Sequence, residues 1–322
     1  MENKNKITSP ILYIVFNRPE YVRRSFEAIK NISPSVIYLA SDGPRSDRKD
    51  EDSIVKSVRN YVIDNIDWAC QIKTFFQKKN VGLKFLASAI SWFFQNEEMG
   101  IILEDDCIPN ESFFKFCDEL LVKYRYDERI MVIGGRNSEI DSRKRVPESY
   151  FFYKYTETWG WASWRRAWKY YDINIKDWTN LKRRGIHRTV SDKRGFQNFV
   201  RDSFDSSFKN EVENWDIQWS FACLANSGLC IIPKYNLVDN IGIKGISTRG
   251  HQKFDHFVPT KELTFPLIHP DYVLADPYYS DFKYVNIFKK YRYKAITINL
   301  LKKFRLFFIL RRIYRLIILD RR

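Results

Sequence analysis

From Ile11 to about residue 135, short apolar runs alternate with longer amphipathic stretches, and no other feature of the 322-residue chain restricts its fold as much. The runs ILYIVF (11–16), SVIYLAS (35–41), CQIKTFF (70–76), GIIL (100–103) and MVIGG (131–135) predict strands. Between them, 19–31, a stretch near 51–65, 83–95 and 110–124 carry helical spacing, the last with Asn110 placed to cap it. Strict alternation of strand and helix predicts a mostly parallel sheet flanked by helices, Rossmann-like in class. After about residue 148 the rhythm breaks into the aromatic stretch SYFFYKYTETWGWASWRRAWKYYD. Helices near 192–209 and 214–226 and a strand at 229–233 follow. With no Pro-, Gly- or Ser-rich linker, the expected organisation is one domain of two continuous halves, 1–148 and 149–282, followed by a tail (283–322).

Charge separates the tail from the rest. Residues 283–322 hold 13 Lys or Arg against one acid, Asp320, which leaves only +3 of the net +15 for residues 1–282. A positive charge confined to one end argues against a nucleic-acid-binding body. Wound as a helix, residues 305–319 gather Arg305, Arg311, Arg312 and Arg315 on one side and place most of the aliphatics elsewhere. Such a basic amphipathic helix suits an anionic membrane surface, or else packs on the body with its basic face in water. The polar start MENKNKITSP lacks a signal-peptide core, and no run of eighteen apolar residues occurs. Five cysteines, Cys70, Cys107, Cys117, Cys223 and Cys230, form no C-x-x-C pair and read as reduced thiols. The expected location is the cytoplasm, peripherally bound at the inner face of the membrane.

The stretch GIILEDDCIPNE (100–111) places Glu104, Asp105 and Asp106 just past a buried strand. Carboxylates so close repel one another and call for a positive partner. Ligands of open α/β sheets bind beyond the carboxyl ends of the strands, where these acids lie. Hard carboxylate oxygens suit Mg²⁺ or Mn²⁺ bridging to a diphosphate; the plainer alternative is a solvated acidic turn. Period-two alternation sets Glu104 and Asp106 on one face and Asp105 on the other. Two more strand ends supply polar groups to the same crevice, FNRP with Arg18 and SDGPR with Asp42.

Taken together, PILYIVFNRPEYVRRSFEAI, IYLASDG and IILEDDCIPNESFFKF resemble the nucleotide-binding half of N-acetylglucosaminyltransferase I and its bacterial relatives, metal-dependent glycosyltransferases of the GT-A fold. The resemblance is best over residues 10–165. It implies that Asp106 ligates the metal, that Asp105 holds the ribose, and that Glu104 lies near the metal or the sugar. It also implies that Arg18 and Asp42 contact the nucleotide, Asp42 at the uracil edge. The family's base-holding histidine has no counterpart around NVGLKFLA. WGWASW, ENWDIQW and NIGIKGIST resemble the acceptor half more thinly.

Inverting transfer needs a carboxylate to take the proton from the acceptor hydroxyl. Asp216, between Trp215 and Trp219 at the start of a predicted helix, is the choice that the resemblance favours; Glu213 and Glu211 lie on the same segment. An acid in the first turn of a helix also has a purely structural use. Trp159 and Gly160 are the expected acceptor-site residues, whereas the spacing of Trp161, Trp164 and Trp168 fits one helix face buried in core. NIGIKGISTRGHQ (240–252) is either a lid or a surface loop. His187, His251, His256 and His269 show no metal spacing, and no P-loop, G-x-G-x-x-G, H-E-x-x-H or G-x-S-x-G occurs.

The expectation is a metal-dependent inverting glycosyltransferase using a nucleotide-diphosphate sugar such as UDP-GlcNAc. Its acceptor would be a bacterial surface glycan or lipid-linked sugar; its partners would include an anionic membrane and no nucleic acid. Two alternatives stand beside it. A nucleotidyltransferase would need a glycine-rich loop after the first strand, and FNRPEY is not one. A non-enzymatic protein, associating with membrane or nucleic acid through its tail, would not need Asp106.

Overall fold

The computed structural model describes residues 7–138, 147–211, 215–244 and 258–279. The alternating segments fold as read, with one short strand, β5, added to the reading: β1 (Ile11–Val15), α1 (Pro19–Ile32), β2 (Val36–Ser41), α2 (Glu51–Asp64), β3 (Gln71–Phe76), α3 (Lys84–Asn96), β4 (Met99–Glu104), β5 (Cys107–Pro109), α4 (Glu111–Lys123) and β6 (Ile130–Gly134). Beyond them come β7 (Tyr150–Tyr153), β8 (Trp161–Trp164), α5 (Arg165–Trp168), α6 (Trp178–Arg183), α7 (Arg194–Phe208), α8 (Asp216–Ala225), β9 (Leu229–Pro233) and β10 (Val238–Asn240). Local chemistry sets several of the ends. Pro19 opens α1, where a missing N–H costs nothing, and Ser33 closes it in the left-handed region at φ 47°. At α4 the Asn110 side chain accepts the Phe113 N–H at 3.1 Å, the cap expected of it.

Eight strands form one sheet in the order β3-β2-β1-β4-β8-β6-β9-β7. The β1, β2, β3 and β4 strands run parallel, β6 and β9 run parallel to each other, and β8 and β7 enter antiparallel. The class is therefore α/β with a mostly parallel sheet flanked by helices. Two apolar layers cover its faces: Ile11, Tyr13 and Val15 point into one, Leu12 and Ile14 into the other. A strand buried on both faces needs a continuous apolar run, which is why β1 was legible as one.

The aromatic stretch departs from its reading. WASW is strand β8, wedged between β4 and β6, and only Arg165–Trp168 is helical. Trp161 consequently enters one core layer and Trp164 the other, so Trp161, Trp164 and Trp168 share no helix face. Pairing on both edges outweighed a helical spacing only eight residues long. SYFFY likewise contains β7, the outer strand. Residues 258–279 run irregularly past that edge, held by Ser149 N–H to Ile268 O (2.8 Å) and Asp276 N–H to Phe152 O (2.8 Å). The basic helix expected at 283–322 lies outside the described residues, as do Glu213 and most of the 240–252 segment. Among the described residues no helix is long and apolar enough to cross a membrane.

Candidate functional site

Register puts the polar groups of three strands at one end of the sheet. Ile14 of β1 lies beside Glu104 of β4, and Val15 beside Ser41 of β2. The chain leaving β1 therefore delivers Arg18 to the turn that follows Glu104. Its guanidinium donates to Asp105, with Nε 3.3 Å from Oδ2 and a second, close bond from Nη2 to Oδ1, while Nη1 reaches Asp106 Oδ2 at 3.1 Å. Arg18 is the positive charge that the acidic turn calls for. Alternation between faces ends at Glu104, because Asp105 and Asp106 form a turn that aims both carboxylates at one guanidinium. Asp105 is only 2 % exposed, and burial pushes its carboxyl up to about 6; Arg18 opposes the rise and Asp106 adds to it. Burial likewise disfavours the charge on Arg18, but Asp105 and then Asp106 outweigh it and hold the guanidinium well above its ordinary value.

Asp42, at the end of β2, is buried, and burial raises its carboxyl. Its oxygens accept from the N–H groups of Gly43 (2.8 Å), Val81 (3.1 Å) and Gly82 (3.1 Å) and from the Asn80 amide (2.9 Å). Four donors fill a carboxylate's acceptor capacity. Asp42 thus fastens the loop after β3 to the end of β2, and a β-carbon on Gly43 would lie 2.4 Å from the Lys79 backbone. The uracil contact expected of Asp42 would require one of these bonds to give way.

Glu51 escaped the sequence reading altogether. Although it lies in the first turn of α2, it is buried and accepts from Asn17 Nδ2 (2.7 Å), from Arg45 N–H (2.7 Å) and from the Arg45 guanidinium. Those bonds, led by Arg45, lower its carboxyl to about 2. Glu51 ties the loop carrying Arg18 to the loop after Asp42. A charged loop followed by a helix start was the only trace of this in sequence.

On the far side, the antiparallel β5–β10 ribbon pairs Asn240 with Cys107. It brings Asn240 Nδ2 within 3.4 Å of Asp106 Oδ1 and Ile241 N–H within 2.9 Å of Asp106 O. Gly242 follows; a β-carbon there would stand 2.6 Å from Asp106 Oδ2. Gly160 has φ +58°, accepts Gly135 N–H at 2.7 Å and leaves a β-carbon only 2.8 Å from Val238, so its backbone alone requires glycine. The Trp159 ring carries the buried guanidinium of Arg136 at 3.7 Å, a second strand-end cation that sequence reasoning missed. Asp216 begins α8 as expected. Trp215, before it, stacks on Trp161 at 5.5 Å, and Trp161 pairs with Ile102 and Gly134 near the carboxyl ends of β4 and β6. Asp216 thus reaches the same end of the sheet over the opposite core layer from α4. Burial, with Asp216 adding its charge, raises the phenols of Tyr155 and Tyr171 well above their ordinary range. Within this cluster the buried indole N–H groups of Trp161, Trp215 and Trp219 and the Tyr171 hydroxyl find no hydrogen-bond partner among the described residues.

Among the described residues no three His, Cys, Asp or Glu side chains are grouped to hold a metal ion. A divalent cation bound through one carboxylate, a substrate diphosphate and water still fits the residues present. Asp106 is the more exposed of the Arg18 pair, offers hard oxygen donors, and faces space that Gly242 keeps free of a side chain. Arg18 and the cation would then share Asp106.

No protein-family model and no curated protein matches the sequence. Solved structures do match, at low similarity. GalNAc-T7 with UDP, GalNAc and Mn²⁺ is 14% identical at TM-score 0.37, covering 54% of this chain and 38% of that one. The mannosyltransferase PcManGT from Pyrobaculum calidifontis, with GDP-Man and Mn²⁺, is 14% identical at TM-score 0.35, covering 69% and 72%. A cytidylyltransferase from Leptospira borgpetersenii is 8% identical at TM-score 0.30, covering 50% and 63%.

Proposed function

We propose that the protein is a glycosyltransferase of the GT-A kind, moving a sugar from a nucleoside-diphosphate donor, UDP-linked, to a glycan or glycolipid hydroxyl with inversion. The observation that carries this reading is the convergence of Arg18, Asp105 and Asp106 at the carboxyl ends of β1 and β4, with Asn240 and Gly242 closing the turn from the other side. Ligand crevices of open α/β sheets lie at this end. Divalent metal, Mn²⁺ or Mg²⁺ held by Asp106, would supply charge neutralisation at the leaving diphosphate. Arg18 would contact the phosphates, Asp105 the ribose and Glu104 the sugar side. The acceptor oxygen attacks the anomeric carbon, the bond to the phosphate oxygen breaks, and its electron pair leaves with the diphosphate. The acceptor proton passes to Asp216, which begins α8 beside Trp215. The unpartnered indole N–H groups beside Asp216 suit sugar hydroxyls, since a buried donor left unpaired costs about 1–3 kcal/mol. Trp159 and Gly160 would border the acceptor.

Calorimetric titration of UDP with and without Mn²⁺ tests the donor site. The expected result is binding that needs the metal and disappears in Asp106→Asn. Binding unaffected by either change would remove Asp106 from the site, and tight binding of another nucleotide would change the donor.

A further inference from the structure

Four large apolar side chains stand far out of one eleven-residue stretch at the sheet edge: Ile268 60 %, Tyr272 81 %, Leu274 76 % and Tyr278 65 % exposed. Soluble surfaces seldom gather such groups without a use. Tyr272 and Leu274 also flank a groove of about 300 Å³ floored by Phe151 and walled by Pro147 and Pro277.

The stretch is irregular but firmly attached. Ser149 Oγ accepts Ile268 N–H (2.9 Å), Asp276 N–H reaches Phe152 O (2.8 Å), and His269 Nδ1 lies 2.9 Å from the Tyr150 hydroxyl. Tyr279 is buried against Phe151 and Tyr153, and its hydroxyl accepts Ser138 N–H at 3.1 Å. The body thus holds four apolar knobs in fixed positions. Exposed rings and aliphatic side chains suit a soft interface, which closes around them without preformed pockets. Two of the four are tyrosines, whose rings favour the boundary between headgroups and acyl chains.

The next segment of the chain indicates which interface. Four residues after Tyr279 begins the 283–322 stretch, with 13 Lys or Arg, one acid and many aliphatics. Glu148 and Asp276 line the groove, Asp271 adjoins Tyr272 in sequence, and Lys234 Nζ reaches Pro147 O at 3.3 Å, so attraction to an anionic surface has to come mostly from that stretch. We infer that Ile268, Tyr272, Leu274 and Tyr278 form a second membrane contact, inserting into the interface of an anionic bilayer to which residues 283–322 bring the protein. The tail supplies attraction and the strap supplies orientation. The Tyr279 bond to Ser138, two residues after Arg136, ties the strap to the loop that follows β6.

Co-sedimentation of the full chain with phosphatidylglycerol–phosphatidylethanolamine vesicles, and with phosphatidylcholine vesicles as the neutral control, tests this without any nucleotide. The triple variant Tyr272→Ser, Leu274→Ser, Tyr278→Ser touches only exposed positions, and an unchanged melting temperature would certify its fold. Its vesicle affinity is expected to fall roughly tenfold or more. A fluorophore on Leu274→Cys, in a Cys70→Ser background, is expected to shift to the blue on anionic vesicles. Full binding by the triple variant, or an unshifted label on bound protein, would overturn the inference. A wild-type dimer that the triple variant dissociates would make the patch a contact between copies. A label shielded in the free protein and released by deleting 283–322 would make it a seat for the tail. Either of those two results also overturns the membrane contact.

Discussion

The two halves of the molecule hold their strands in different ways. In the first half, β1 to β4 run parallel, and each strand, turn and helix is read from consecutive residues. In the second half, β8 is inserted between β4 and β6, and β7 lies at the outer edge beside β9. Strands of that kind are defined by partners far away in sequence. The polar groups differ accordingly: the first half sets Arg18 against Asp105 and Asp106, whereas the second surrounds Asp216 with indoles and phenols. One half is organised to balance charge, and the other to place a single acid in an aromatic setting.

The largest expected effect separates these two jobs. Asp216→Asn should lower sugar transfer by roughly 10²–10⁴-fold, the usual worth of a positioned base, while leaving metal-dependent UDP binding unchanged. Initial rates and calorimetry on the same preparation would check it. Loss of UDP binding as well would mean that the halves are not functionally separable. A variant of undiminished activity would return Asp216 to the role of a first-turn acid.

The next effect concerns packing. Trp161 is fully buried, stacks on Trp215 and bridges β4 to β6 through β8. Trp161→Ala should cost about 3–5 kcal/mol in denaturant unfolding, as large core truncations do. Trp159→Ala, at a partly buried position at the rim of the core and under the Arg136 guanidinium, should cost less. Similar losses at both would erase the contrast between a tryptophan of the core and one at the strand end.

The same contrast decides how far the sequence was legible. Five strands and four helices of the first half were readable because their apolar residues recur with local period, and Asn110 was recognisable as a cap. Asp216 could be placed at a helix start on the same grounds. WGWASWRRAW misled because four tryptophans at spacings of two to four suit a helix as well as a strand, and the edges of β4 and β6 made the choice. Glu51 and Arg136 were invisible for another reason: their importance lies in what loops bring to them. Asp42 was singled out correctly as a strand-end acid, but nothing local showed that Asn80, Val81 and Gly82 would occupy it.

Glu51 gives a mid-sized test of that loop organisation. Glu51→Gln should cost about 2 kcal/mol, the scale of charge-assisted hydrogen bonds lost from a buried acceptor. Its pH signature has a definite sign. The native carboxyl sits at about 2 against an ordinary 4.5, so its contribution is fully present above 4.5 and fades as pH falls toward 2. Urea unfolding at pH 6 and pH 3 should show a smaller difference in Glu51→Gln than in the parent. An equal difference would mean that Arg45 and Asn17 hold the loops without Glu51.

The smallest effect belongs to the strap that closes the second half. His269 lies between the Tyr150 hydroxyl and Glu119, at 2.9 and 3.2 Å, and Tyr150 is bonded in turn to Tyr124 at 2.7 Å. Burial, aided by Lys123 and opposed by Glu119, lowers the imidazole below its ordinary 6.5. The native histidine therefore stays neutral over a range in which the unfolded chain binds a proton. The strap should be most stable above about pH 6.5 and loosen as pH falls below it. Amide hydrogen exchange at Ile268 and Asp276, compared at pH 7.5 and 5.5 after correction for intrinsic rates, would show the loosening. In His269→Phe, which cannot bond to Tyr150, protection at pH 7.5 should already be lower and the pH dependence should disappear. Retention of that dependence would assign it to Glu119 or to another acid along the strap, and would leave the second half closed by packing alone.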